Sequence, residues 1–333
     1  MITIRDGSKG GAPMSKGFDF LVRRLRLRHL DLLVALAETG TMRAAAARLH
    51  LSQPAISKML REAEGALGAR LFERSRQGVQ PSAAGIAAVH RARVALNELA
   101  HAGSEVEAIR GGRSAVLRVG TFSVTAAVPA AVVRLRQRMP GAAVHLHEGR
   151  VGELVQRLLE GDLDCVFGAL TPELLSSSLL RSLQSQLLLP DALCVLAAEG
   201  HPLCRRRGLG WPQLRTAAWV APPKGTLVRQ AFMSAFLDQG EEPPEPVIET
   251  MSSVTIGTLL RLDPALVGAV RHEHARDEVA RGGLRRLALK PAVPLPPLGL
   301  YTRRGDAAAT PVLQEFVRAL QAAGARAASL NAP

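Results

Sequence analysis

Cysteine is scarce in this chain, with three in 333 residues, Cys165, Cys194 and Cys204. An odd, sparse set does not make a disulfide framework, so free thiols in a reducing cytoplasm are the expectation. No apolar run approaches the roughly eighteen residues of a membrane-spanning helix, and none is predicted. The N-terminal MITIRDGSKGGAPMSKGFDF lacks the apolar segment of a secretory signal; it is polar and glycine-rich, so disorder is expected there. Met14 offers an alternative start that would leave the first thirteen residues outside the protein. Aromatic residues make up 3% and give little hint of a stacking pocket. A GxSxG elbow, a P-loop and HExxH are missing, as is GxGxxG at the βα turns, so an enzyme is not expected. Acidic residues are outnumbered by 42 Lys and Arg to 29 Asp and Glu, a formal net charge of +13. Such an excess suits an anionic partner: nucleic acid, an anionic membrane surface or acidic small molecules. Residues 1–113, a third of the chain, carry 18 of the basic residues but only 10 of the acidic ones.

What that basic third contains is a helical hairpin. Between Thr41 and Gly68 the chain reads TMRAAAARLHLSQPAISKMLREAEGALG. Ala44, Ala45, Ala46, Ala47 and Leu49 form a small-residue face that lets another helix approach. A tight turn at His50–Leu51–Ser52 follows, then a second helix with Ile56, Leu60, Ala63 and Leu67 inward. Ser52 is placed to cap that helix, and Pro54 is tolerated in its first turn. Gln53, Ala55, Ser57, Lys58 and Arg61 are left outward, where an amide, a hydroxyl and two cations suit base edges and phosphates in a major groove. The plain alternative is a helical hairpin with a solvated face.

A first helix over Leu25–Glu38 precedes the hairpin, with Gly40 ending it and Thr41 capping the next. After the hairpin, Leu71–Glu73 and Val79–Pro81 flank Arg74-Ser-Arg-Gln-Gly78, a two-stranded wing with a basic tip. Arg74 and Arg76 there can reach phosphate or a minor groove, or stay in a solvated turn. Ser82 opens a helical pattern to about Ile109, roughly 42 Å long. On it Val89, Leu96 and Gly103 alternate with Ala92, Leu99 and Val106 in a seven-residue repeat. The repeat reads either as a dimer seam or as packing on its own chain. Arg110–Arg113 breaks the helix as a hinge.

Beyond the hinge the rhythm becomes βαβ. Short apolar runs at Val116–Gly120, Ala143–His147, Leu163–Gly168 and Ala192–Ala197 predict strands separated mostly by helices. A second set follows at Ala218–Ala221, Val247–Thr250, Ala265–Val270 and Leu284–Leu289, then Leu298–Tyr301 and a last helix over Thr310–Ala323. Two similar α/β halves result, with the last strand and helix returning to the first. His145-x-His147 and His272-x-His274 each place two imidazoles on one strand face, but zinc needs more ligands than a pair, and no metal is expected. Cys194 reads as a buried small hydrophobe. Cys204, beside Arg205-Arg-Arg207, has cations that would lower a thiol pKa, a minor redox reading.

By these residues, Arg26 to Gly85 closely resembles the N-terminal domain of LysR-type transcriptional regulators, most specifically in SQPAISKMLREAEGALGARLFER. Residues 114–325 are more loosely similar to that family's effector domain. WVAPPKGTLVR and VIETMSSVTIG resemble the branch that regulates aromatic-acid and sugar catabolism. The resemblance implies an all-α winged helix-turn-helix with a long dimerising linker helix, and an α/β two-lobed domain like periplasmic binding proteins. The implied parts are an N-terminal extension (1–22), the DNA-binding domain (23–81), linker and hinge (82–113), lobe 1 (114–188 and 293–325) and lobe 2 (189–292). It also implies a homodimer assembling into a homotetramer on interrupted palindromes in double-stranded DNA, contact with RNA polymerase, and a small effector in place of a cofactor. Carried over, Gln53, Pro54, Ser57 and Lys58 face bases or phosphates; Thr41, Arg43, Arg74 and Arg76 hold the backbone, with Ser52, Ala55 and Arg61 completing the surface. Lys58 stands where members often carry Arg and cannot make the bidentate fork to guanine, so it is expected on phosphate or a single acceptor.

The effector is expected at strand C-terminal ends, where helix N-termini converge. Thr121, Phe122, Ser123 and Thr125 lie between a strand and a helix start suited to a carboxylate or sulfonate. Pro223, Lys224 and Thr226 follow a strand of the second lobe. Arg150, Thr171 and Thr250 complete the expected ring; each also has a plain reading as a cap or surface residue. Two alternatives from other classes remain at this point: a ligand-binding module with vestigial DNA contacts, and an enzyme on a solute-binding fold.

Overall fold

The computed structural model describes residue 21 and residues 23–75, 78–123, 127–304 and 310–329. The expected N-terminal extension lies outside that set apart from Leu21, as do Arg76 of the wing and Thr125. Two compact units, Met1–Gly103 and Ser104–Pro333, divide the chain.

In the first unit α1 (Leu27–Thr39) stops at Gly40, whose φ of 67° suits glycine and whose N–H reaches the Leu36 carbonyl. α2 (Met42–Arg48) starts at Thr41, whose hydroxyl accepts from the Ala44 N–H at 3.1 Å. His50, at φ 54°, turns the chain, and α3 (Gln53–Leu67) starts at Ser52, whose hydroxyl accepts from the Ala55 N–H. β1 (Phe72–Ser75) and β2 (Gly78–Pro81) form the antiparallel wing, and α4 (Ala83–Arg110) follows. Leu32, Leu33, Leu36, Ala45, Ile56, Leu60 and Phe72 form the core. The small-residue face differs from expectation in one place: Ala47 is exposed and Met42 is buried. Met42, Ala45, Ala46 and Leu49 follow helical spacing, and Ala47 falls off that face. The seven-residue repeat on α4 divides in two. Val89 and Ala92 are buried in this unit's own core with Leu96 packed against it, whereas Leu99, Gly103 and Val106 are exposed.

The second unit carries, in order, β3 (Ala115–Thr121), α5 (Ala127–Arg138), β4 (Ala142–Glu148), α6 (Val151–Leu159), β5 (Cys165–Gly168), α7 (Pro172–Ser176) and β6 (Leu183–Ala198). Then come β7 (Ala218–Ala221), α8 (Leu227–Leu237), β8 (Ile248–Glu249), α9 (Ser253–Leu262), β9 (Leu266–Arg271) and α10 (His272–Ala280). β10 (Leu284–Arg286), β11 (Val293–Arg303) and α11 (Pro311–Ser329) complete it. The strands run β4-β3-β5-β11-β6-β9-β7-β8, with β10 also on β6. Pairs within each lobe are parallel (β3 with β4 and β5, β7 with β8 and β9), and every pair involving β6 or β11 is antiparallel. The runs at Ala192–Ala197 and Leu298–Tyr301 are therefore pieces of longer strands, while the strand expected over Leu284–Leu289 stops at Arg286. Pro190, Pro294, Pro296 and Pro297 donate nothing to a ladder. In the fold they lie where β6 and β11 cross, and the register shifts between Leu295 and Gly299.

Alternation along these strands fills a core on each face of each lobe. In lobe 1, Leu117, Val119 and Phe167 pack under α5 and α11, and Val166 and Tyr301 under α6. In lobe 2, Val195, Ala197 and Trp219 pack against Phe232 and Phe236 of α8, while Cys194, Leu196 and Val220 face Ile256 and Leu260 of α9. Phe316 and Leu320 of α11 join Val128 and Leu135 of α5, so the last helix does return to the first lobe.

Gly85, in the first turn of α4, shows how closely the first unit is packed: a Cβ there would lie 1.9 Å from the Leu71 carbonyl oxygen. Gly85→Ala is expected to cost about 1–3 kcal/mol in the unfolding free energy of this unit, through forced displacement of α4. Gly65→Ala on α3, with nothing within 4 Å, is expected to stabilise by up to about 1 kcal/mol. Chemical denaturation of both variants checks the contrast.

Candidate functional site

The first unit presents one basic, polar face. Gln53, Pro54, Lys58 and Arg61 of α3 are exposed, as are Arg43 on α2 and Arg74 on β1, while Ala55 and Ser57 are half-buried. The hydroxyls of Thr41 and Ser52 are engaged as helix caps. Arg74 Nη2 donates to Ser57 Oγ at 3.1 Å, tying the wing to α3. Five further hydrogen bonds hold these parts in place. Glu64 Oε1 accepts from the N–H groups of Leu71 (2.8 Å) and Phe72 (3.3 Å). The Val79 N–H donates to Gly40 O at 2.7 Å. Buried His29 accepts the Arg26 N–H on Nδ1 and meets Glu62 of α3 through Nε2 at 3.2 Å, which assigns the proton to Nε2. Sequence reasoning did not single out His29 or Glu64; a polar residue at an inward helical position was the available signal. Glu38 receives Arg48 and, at 3.0 Å, Arg93. The hydrogen bond from Arg48 is the largest influence holding its carboxyl below the usual range.

The second unit holds a cleft between its lobes of about 460 Å³. Its lining follows strand ends: Phe122 after β3, Arg150 after β4, Thr171 after β5, Lys224 and Thr226 after β7, Met251 and Ser253 after β8, and Arg271 and His274 at the end of β9. Of the expected effector residues, Phe122, Arg150, Thr171, Lys224 and Thr226 line it; Thr121, Ser123, Pro223 and Thr250 do not. Those four are taken up by local structure. Thr121 is buried, and its hydroxyl donates to Ser123 O at 2.9 Å and accepts the Ser123 N–H at 3.4 Å. Pro223 O accepts the Thr226 hydroxyl, and Thr250 Oγ1 accepts the Ser252 N–H. Arg271, His274, Ser253 and Met251 are additions. The sequence signal for Arg271 was a charge ending an apolar run.

Two cations of the cleft, Lys224 and Arg271, are paired with carboxylates. Lys224 Nζ donates to Glu245 at 3.1 Å, which holds that exposed carboxyl below its usual value. Buried Arg229 bonds Glu249 at 2.6 Å and Glu245 at 2.9 Å. Arg271 bonds Asp191 of β6, and Asp191 also accepts the N–H groups of Ala192 (2.9 Å) and His272 (3.2 Å). Burial pushes the Asp191 carboxyl up and the Arg271 guanidinium down, each against the pull of the other. The Phe122 ring contacts both Arg271, whose guanidinium carbon is 5.0 Å from the ring centroid, and His274, 5.7 Å centroid to centroid.

The histidine pairs are placed apart from the strand faces expected for them or engaged locally. His272 and His274 open α10 instead of extending β9, His147 meets Arg157 at 3.2 Å, and no group of three or more metal-ligating side chains occurs among the described residues. Cys194 is buried as expected. Cys204 departs from its redox reading. Its Sγ reaches Ala198 O at 3.3 Å, burial raises its pKa, and the cation opposing that rise is Arg285, not the Arg205–Arg207 run.

Burial, then the charge of Arg271, lowers the His274 pKa to about 4. The unfolded chain takes up a proton on this imidazole near pH 6.5, and the folded chain only near about 4. Stability from this group is complete above 6.5 and is lost as pH falls toward 4. His274→Gln is expected to flatten the acid limb of the melting-temperature profile between those values relative to wild type. Parallel profiles would show that His274 is not held neutral.

Comparison with known proteins agrees with both units. Residues 27–86 match the family described as "Bacterial regulatory helix-turn-helix protein, lysR family", and residues 110–325 match "LysR substrate binding domain". The chain is 35% identical to the HTH-type transcriptional regulator GbpR of Azospirillum brasilense over 238 residues, 71% of this chain and 68% of that one. It is 34% identical over 281 residues to the HTH-type transcriptional regulator GalR of Pseudomonas putida, covering 84% and 69%. Its fold is shared with full-length CbnR complexed with its target DNA, at a TM-score of 0.56, 23% identity and 90% and 100% coverage. These relatives are regulators and not enzymes. The chain belongs to the LysR family of DNA-binding transcriptional regulators, with a helix-turn-helix domain followed by a substrate-binding domain.

Proposed function

We propose that this regulator works in the cytoplasm as a dimer assembling into a tetramer, binds interrupted palindromes near promoters, and contacts RNA polymerase. A small organic anion in the cleft then changes that engagement. The observation that carries the DNA side is the shared face of α3 and the wing, where exposed Gln53, Lys58 and Arg61 stand with Arg74 joined to Ser57. An exposed helix face of this kind suits a major groove, with the wing on the backbone. The exposed half of the α4 repeat, Leu99, Gly103 and Val106, supports dimerisation. Tetramer formation and polymerase contact rest on the family. The effector reading is supported by a cleft lined by Arg150, Lys224 and Arg271 with the hydroxyls of Thr171, Thr226 and Ser253. No helix among the described residues is long and apolar enough to cross a membrane.

Selection of sheared genomic DNA by the purified protein, followed by sequencing, is expected to return a few sites sharing an interrupted palindrome. A Gln53→Ala/Lys58→Ala variant should lose them. On one such site, Lys58→Ala is expected to weaken binding and to reduce the log–log salt slope by about 0.9 for each phosphate contact removed. Unchanged affinity and slope would mean that α3 does not face DNA.

A further inference from the structure

Arg271 is 7% exposed, yet it lines the cleft. Among the described residues its one hydrogen-bond acceptor is Asp191, reached through Nη1. Its Nε and Nη2 have no protein acceptor there, and unlike Nε of Arg229 they are not sealed in the interior. The guanidinium is held in place from two sides. Asp191 is fixed by two backbone N–H groups, and the Phe122 ring lies over the guanidinium carbon. The other cations of this region are differently placed. Lys224 is exposed and paired with Glu245, Arg229 spends both terminal nitrogens on Glu249, Glu245 and Pro222 O, and Arg150 is exposed at the start of α6. Arg271 is thus a buried cation on the cleft lining with two donor nitrogens, Nε and Nη2, that no described protein acceptor takes up. The lining also carries the apolar side chains Phe122, Val151, Met251, Ile256 and Ala269, beside the hydroxyls of Thr171, Thr226 and Ser253.

We infer that the cleft takes a monocarboxylate with an apolar body, and that Arg271 reads its carboxylate through the Nε–Nη2 edge; this rests on the reading of the cleft as the effector site. A guanidinium edge and a carboxylate match as two parallel, charge-assisted hydrogen bonds. Asp191 keeps Nη1, so the incoming carboxylate need not orphan a buried acid. One open edge serves one carboxylate. Glu153, also on the lining, disfavours a second negative charge nearby, and the apolar walls suit a body without charge.

The test is calorimetric titration of the full chain with benzoate, hexanoate and benzamide, the last being neutral and close in shape to benzoate. Arg271→Gln alone would leave buried Asp191 unpaired and could unfold the domain. The main variant is therefore Asp191→Asn/Arg271→Gln, with its melting temperature and operator affinity measured alongside. Both carboxylates are expected to bind the wild type, with benzamide at least about tenfold weaker than benzoate. The double variant should lose at least about tenfold for benzoate while keeping its fold and operator affinity, and Arg271→Lys should lie between. Benzamide binding as well as benzoate, or neither carboxylate binding the wild type, would overturn the ligand class. Benzoate binding retained in the double variant but lost in Met251→Trp, which fills the cleft from an exposed position, would remove Arg271 and leave the cleft as the effector site. Binding unaffected by either variant would overturn the cleft reading itself.

Discussion

Leu183–Ala198 and Val293–Arg303 are each long enough to belong to both lobes, and the cleft exists because of them. Their antiparallel pairing joins two sets of otherwise parallel strands into one sheet. At the crossing, prolines on both strands remove donors from the ladder and the register shifts. Asp191 sits at this crossing. It is held by the Ala192 and His272 N–H groups and bonds Arg271 at the end of β9. One carboxylate thus ties the strand that links the lobes to the floor of the space between them. Breaking the pair from one side would leave a buried charge uncompensated, which costs far more than an exposed ion pair contributes.

The first unit was largely legible in the chain because the signals that set its helix ends are local. Gly40, Thr41, Ser52 and Pro54 act on backbone groups within a few residues, so their roles follow from spacing. The α4 repeat was legible as a pattern but not as an outcome. A stripe of Val89, Ala92, Leu96, Leu99, Gly103 and Val106 does not say where its own domain stops covering it. In the second unit the strand–helix alternation could be read, and the rule that ligands sit beyond strand C-terminal ends found Phe122, Arg150, Thr171, Lys224 and Thr226. The crossing strands could not be read at full length, because their prolines imitate strand ends.

The remaining differences in the cleft have two physical sources. Thr121 at the end of β3 and Thr250 after β8 lie at the right strand ends, but a short hydroxyl side chain has backbone partners within two residues and takes them. Their place was legible, whereas the direction of the side chain was decided by local competition. Arg271 and His274 were missed for the opposite reason. A buried arginine is stable only with a partner, and its partner is 80 residues earlier in sequence; His274 owes its neutrality to burial beside that same arginine. Neither condition has a local signature.

These pairings also bear on how the cleft selects a ligand. Lys224 with Glu245 and Arg271 with Asp191 are each compensated, so the positive charge of these two side chains is a poor account of specificity by itself. What distinguishes ligands in a paired, largely apolar space is whether each buried donor finds an acceptor. A neutral His274 adds no second cation beside Arg271 that would compete for the same anion. The first unit follows a comparable logic. Arg74 on Ser57, Glu64 on the start of the wing and Val79 on Gly40 hold α3 and the wing together before any partner arrives, so little ordering remains to be done on binding. In both units recognition is left to a few donors whose neighbours have already been fixed, and its selectivity depends on that fixing more than on the size of the positive charge.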